Sequence, residues 1–230
     1  GHGEYWYDAT DVVTADNGIT VIVGADGARW KLLVENKTIN VLTAGIKGDS
    51  TTNNTTLFNT LTALGFDIQM PDGGYKVTDR IQLVNGQKLQ GSGRTASYFV
   101  IETDFNLSAT GVIRLGTSEP GAEIYDVGFQ FNQANQGVRA SCTQYPPAID
   151  GDAIPRFMVD RVRIEGAWDG ISVIGNSGGC RIGFIEVGAL NVGVDMDGSA
   201  DFVHTGEWHF WPFGFTNKST LLNGVYYDNT

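Results

Sequence analysis

Cysteine is nearly missing: Cys142 and Cys180 alone occur in 230 residues. Two such residues make neither a disulfide framework nor a metal-ligand spacing, and both are expected as buried thiols. No apolar run approaches the ~18 residues needed to span a bilayer. Nor does a charged-then-apolar leader open the chain, so no membrane insertion is expected. Charged residues make up only 18%, with a net charge of −11 that would repel the phosphates of nucleic acid. Neutral glycans suit that charge, whereas an acidic polymer requires a locally basic groove. Asp195-Met196-Asp197 and Asp201 form an acidic loop without a fixed calcium-loop pattern. It reads as a solvated turn, and the sequence calls for no metal or other cofactor.

What the chain does have is glycine, 31 residues of it, fitting many tight turns between short strands. It also repeats itself. Val162-Arg163-Ile164 is followed 23 residues later by Ile185-Glu186-Val187, and after 23 more by Trp208-His209-Phe210. Val159 pairs with Ile182 in the same way, while Thr205 breaks the apolar rule. Ile124, Val127, Gly128 and Phe129 precede Val159, Val162, Arg163 and Ile164 by 35, which predicts an inserted loop over Ser141–Pro155. Such a period marks stacked repeats that bury a core only together. Apolar and polar residues alternate within each unit, as half-buried strands require. One strand stacked per turn gives a parallel β-helix.

Upstream, Thr20-Val21-Ile22-Val23 and Arg29-Trp30-Lys31-Leu32-Leu33 flank Gly24-Ala25-Asp26-Gly27, a hairpin signal. Tyr5-Trp6-Tyr7 either clamps that hairpin's own apolar face or meets a neighbouring subunit. Residues 1–38 are expected as a neck and 39–230 as the β-helix. Thr55–Leu64 reads as an amphipathic helix on Leu57, Phe58, Leu61 and Leu64, capped by Asn53 or Asn54 and stopped by Gly65. It covers the exposed first coil and its unpaired edge. Gly1-His2-Gly3 reads as an added remnant and the end at Asn229-Thr230 lacks a closing element, so a piece of a longer protein is expected.

The order strand, Gly45-Ile46-Lys47-Gly48-Asp49, Thr/Asn cluster, helix, Met70-Pro71-Asp72-Gly73-Gly74-Tyr75 resembles the opening of the pectate-lyase-like superfamily. More narrowly, it resembles the β-helix of bacteriophage tailspikes, with the hairpin before it similar to their neck. The sequence departs at Ser50, where glycine is commoner, and at Asn53-Asn54, where aspartates are. The resemblance implies an all-β fold, a right-handed parallel β-helix. It also implies a homotrimer on a virion tail, attached to other tail proteins, that recognises or cuts bacterial surface polysaccharide outside the cell.

With Val162, Ile164, Ile185, Val187, Trp208 and Phe210 inward, their neighbours face out. One outward column is Arg163, Glu186, His209; another is Asp126, Arg161, Phe184, Glu207. Successive rungs lie ~4.8 Å apart, which puts the Glu186 and Glu207 side chains within ~5–9 Å. Glycosidase carboxyl pairs fall in that range. Glu186, Glu207 and His209 are therefore the catalytic candidates, as acid, base or nucleophile. Arg163 and Arg161 are candidates for holding substrate, and Trp168 and Trp211 for contacting sugar rings. A bland reading stands beside each of these. The charged column fits ordinary cross-strand pairing, Trp168 fits corner packing, and Trp208–Phe215 fits a subunit interface or core. At Trp168 the echo in Leu190 predicts a local step of 22.

Overall fold

The computed structural model describes residues 3–133, 139–199 and 203–211. Tyr5–Tyr7 (β1), Val21–Val23 (β2) and Arg29–Leu32 (β3) form an antiparallel sheet in the order β1-β3-β2. Tyr5-Trp6-Tyr7 thus joins the hairpin as a strand. Tyr7 lies 5.6 Å from Trp30, and both rings remain exposed. Thr38–Asn40 (β4) follows and is already parallel to the solenoid strands.

Thr55–Ala63 (α1) closes the first turn. Its N-cap residue is Asn54, whose buried side chain pins the preceding loop through Lys47 N and O (2.9 Å each) and makes no capping bond, while Asn53 just before it accepts from Thr55 N (3.0 Å). Gly65, at φ +74°, stops the helix. Ser50 sits at φ +63°, the left-handed region that explains why glycine is the commoner residue there.

From α1 the chain winds through repeated coils of three short strands. They are Asp67–Met70, Gly73–Val77, Ile81–Gln82 (β5–β7); Lys88–Gly91, Ser97–Ile101, Ile113–Arg114 (β8–β10); and Glu123–Tyr125, Gly128–Phe131, Ile149–Asp150 (β11–β13). Next come Met158–Asp160, Val162–Glu165, Asp169–Ser172 (β14–β16) and Arg181–Ile182, Ile185–Gly188, Val192–Asp195 (β17–β19). His204–Thr205 and Trp208–Phe210 (β20, β21) begin another coil. Each strand pairs in parallel with its counterpart one coil on, giving a right-handed parallel β-helix with three sheets, β4 to β20, β6 to β21 and β7 to β19.

The interior is a set of ladders. Tyr75, Phe99, Phe129, Ile164, Val187 and Phe210 stand in register in the middle sheet, and Phe58 of α1 caps the ladder 5.3 Å from Phe99. Val162, Ile164, Ile185 and Val187 are fully buried, as their alternation requires, and both cysteines are buried and free. Thr205 keeps register with Ile182 although it is polar and exposed.

One local expectation is adjusted. Nineteen positions separate Gln130 from Ile149, but six separate their partners Glu165 and Ile171. The insertion therefore lies between β12 and β13, which takes in Ser141–Ala148 of the expected loop but begins earlier. At the Trp168 corner the step drops to 22, as expected: Leu190 N bonds Ala167 O and Asn191 N bonds Trp168 O (2.8 Å each), which sets Leu190 opposite Trp168 before Asp169 and Val192 restore 23.

Candidate functional site

The outward residues of the middle sheet build the site. Gly74, Tyr98, Gly128, Arg163, Glu186 and His209 form one column, so the Arg163–Glu186–His209 alignment is realised. Lys76, Val100, Gln130, Glu165 and Gly188 form the next. Trp211 continues it by lying over Gly188, where a Cβ would come within 2.8 Å of the indole nitrogen.

A third column runs down the corner before this sheet. Val162 N bonds Phe184 O (3.2 Å) and Ile185 N bonds Glu207 O (3.1 Å), placing Arg161, Phe184 and Glu207 on successive rungs. Arg161 occupies a left-handed corner (φ +52°). Its guanidinium donates to both Asp126 oxygens (2.7 and 2.8 Å) and to Asp160 (2.6 Å).

Gly128 opens a cleft of about 330 Å³ between Tyr98 and Arg163, lined also by Arg94, Thr95, Gln130 and Glu165. A second hollow of about 500 Å³ shares Gln130 and Glu165 with it and reaches Glu102 and Ser50. Together they form a groove along the sheet.

Glu186 is held on this face by an arginine from another coil. Arg94 Nε donates to its Oε2 at 2.7 Å, and this bond holds the Glu186 carboxyl below the usual range, with Arg163 and His209 adding smaller effects. The Arg94 guanidinium lies 4.8 Å from the Phe184 ring centre. Arg163 bonds Glu165 and lies over Trp211 (5.4 Å), whose ring is 5.7 Å from His209. Arg161 lies over Tyr125 (5.6 Å), whose hydroxyl is pushed up to about 12 by burial and then by its bond to Glu123. All three arginines thus share one arrangement, carboxylate at the edge and aromatic ring at the face.

The fold accordingly gathers Arg163, Glu186, His209 and Trp211, with Arg161 and exposed Glu207 on the adjoining corner. Trp168 sits at the far corner between β15 and β16 and lines neither hollow. Within the aromatic run the expected interface residues Phe213 and Phe215, like Asp201 of the acidic loop, lie outside the described residues. Arg94, Tyr98 and Glu165 escaped the sequence reading. Arg94 belongs to a turn between β8 and β9, 92 residues from Glu186, and carries no periodic signal. Tyr98 precedes Gly128 by 30, a step that appears nowhere else along its column.

Residues 1–35 match the phage tail protein small four-stranded β-sheet domain; β1 to β3 are the strands described there. The coordinates superpose on the gp42 tailspike of Acinetobacter phage vb_AbaP_AS12 with a TM-score of 0.63, at 13% identity over 85% of this chain and 35% of that one. They also superpose on the catalytic unit of an α-1,3-glucanase from Streptomyces thermodiastaticus, with a TM-score of 0.60 at 16% identity over 81% and 35%. A third match is Pantoea stewartii WceF, a glycan biofilm modifying enzyme, with a TM-score of 0.55 at 13% identity over 90% and 37%. The chain thus spans little more than a third of each. By its fold this chain is a right-handed parallel β-helix similar to those of the gp42 tailspike and WceF, and its first 35 residues are similar to a phage-tail β-sheet domain.

Proposed function

We propose that the grooved outer face of the middle sheet binds bacterial surface polysaccharide, and that the complete protein cleaves it. In this reading residues 1–38 are the neck and 39–230 the β-helix of a homotrimer, joined to other proteins of a virion tail and serving host attachment. The observation that carries the reading is Glu186, held by Arg94 at 2.7 Å beside a groove of arginine, carboxylate and aromatic groups. Sugars are bound by that mixture, since every hydroxyl both donates and accepts.

A carboxyl held ionised suits a base or nucleophile, not an acid. Glu186 takes that role, and Glu207 or His209, one rung on, supplies the proton to the leaving oxygen. Arg163, Arg161 and Trp211 hold the chain of sugars, and Trp168 contacts it only where the polymer rounds the next corner. The complete protein incubated with host capsule or O-antigen should release new reducing ends or unsaturated sugars. Glu186→Gln and Glu207→Gln should each slow that release about 10²–10⁴-fold. Unchanged cleavage in both variants rejects the assignment.

A second reading, a face that grips glycan without cutting it, is favoured by the same ion pairing, because Glu186 is already satisfied by Arg94. Binding without new chain ends selects it.

A further inference from the structure

The charge pattern of the grooved face carries a conclusion about its ligand, resting on the polysaccharide reading above. We infer that the glycan accepted there is uncharged, and that polyanionic glycans are excluded despite three arginines on the face. Arg94 is bonded to Glu186, Arg161 to Asp126 and Asp160, and Arg163 to Glu165. Glu102, which lines the second hollow, is bonded to Lys76 (2.6 Å), and Lys76 also bonds Asp104 (3.0 Å). Four cations therefore meet six paired carboxylates, and exposed Glu207 adds a seventh. The face is net negative, within a chain whose own charge is −11.

A carboxylated or sulfated polymer reaches an outer guanidinium N–H here only beside the carboxylate already paired with it, which cancels the arginine's charge and repels the polymer's own. That carboxylate, with side chains of Glu186 and Asp126 only 18% and 22% exposed, then faces the polymer's charge. Stacking of each guanidinium on Phe184, Tyr125 or Trp211 further fixes it in place. A neutral sugar meets no such repulsion. Its hydroxyls accept from the outer guanidinium N–H groups and donate to the paired carboxylates, leaving every ion pair intact.

The test is binding of the complete protein to uncharged hexose and N-acetylhexosamine oligosaccharides, beside oligogalacturonate and sulfated oligosaccharides of equal length. Uncharged ligands should bind with a Kd that changes less than about twofold between 50 and 500 mM salt, because no charge is screened. Arg163→Ala should weaken that binding. Glu165→Gln, which frees Arg163, should raise oligogalacturonate binding about tenfold at low salt, a gain that loss of folding cannot mimic. Anionic oligosaccharides binding tightest, with affinity falling steeply in salt and lost in Arg163→Ala, would overturn the inference while leaving a glycan-binding face. Binding of neither class overturns the polysaccharide reading and the inference with it.

Discussion

Arg94 joins two parts of the sequence that no pattern connects, and its removal isolates what it does to Glu186. In Arg94→Ala the Glu186 carboxyl should titrate nearer its ordinary range, read by ¹³C NMR of the Glu side chains. Stability should fall by only about 0.2–1 kcal/mol, as for other partly exposed pairs. An unmoved Glu186 titration would mean that Arg94 does not set its charge. Gly128 is the second telling position. A Cβ there would stand 2.4 Å from Arg94 O and 3.0 Å from Tyr98 Cβ, so Gly128→Ala must displace the turn that carries Arg94. A loss of about 1–3 kcal/mol in denaturant unfolding is expected, with weaker glycan binding.

Among the elements, α1 and the β7–β19 sheet hold the solenoid in different ways. Phe58 of α1 is fully buried against Tyr75 (6.1 Å) and Phe99, and so ends the aromatic ladder of the middle sheet. Phe58→Ala should cost about 3–5 kcal/mol and expose the first coil, seen as a lower denaturation midpoint. In the β7–β19 sheet Asp150 is fully buried and takes hydrogen bonds from Arg114, Thr110 (2.5 Å) and Asp152 N (3.1 Å). Arg114→Met leaves that carboxyl without its cation and should cost about 3–5 kcal/mol. Asp150→Asn keeps an oxygen for the remaining donors and should cost less. Equal losses in the two variants would show that the charge pairing is not what matters.

For the molecule as a whole, pH should act through its carboxylates. Hydrogen bonds from Lys31 and Thr10 hold Asp8 at about 2, while Asp16 is lowered by the Val23 and Gly18 amides, and Glu186 by Arg94. Groups lowered on folding contribute fully above their unfolded pKa, near 4, and that contribution is lost as pH falls through the folded values. The melting temperature should therefore be level from pH 8 to about 5 and decline below about pH 4. A melting temperature that holds constant down to pH 2 would contradict these bonds.

The solenoid was legible because its cause is local and repeated. Strand alternation at Val162–Ile164 and Ile185–Val187 forces one face inward, and a constant step stacks that face on itself. Gly65 and the Thr/Asn cluster likewise announce α1, and the Arg163–Glu186–His209 column follows from the same arithmetic. Where coil length changes, as between β12 and β13, counting loses the register that backbone pairing preserves. The partner of Glu186 was beyond any count. Arg94 reaches it across 92 residues because three-dimensional winding brings a turn of one coil over the face of later ones. Sequence alone determined which side chains point outward, since that depends on alternation along each strand. Only the tertiary structure decided which outward charges meet, since distance across rungs depends on how the coils stack.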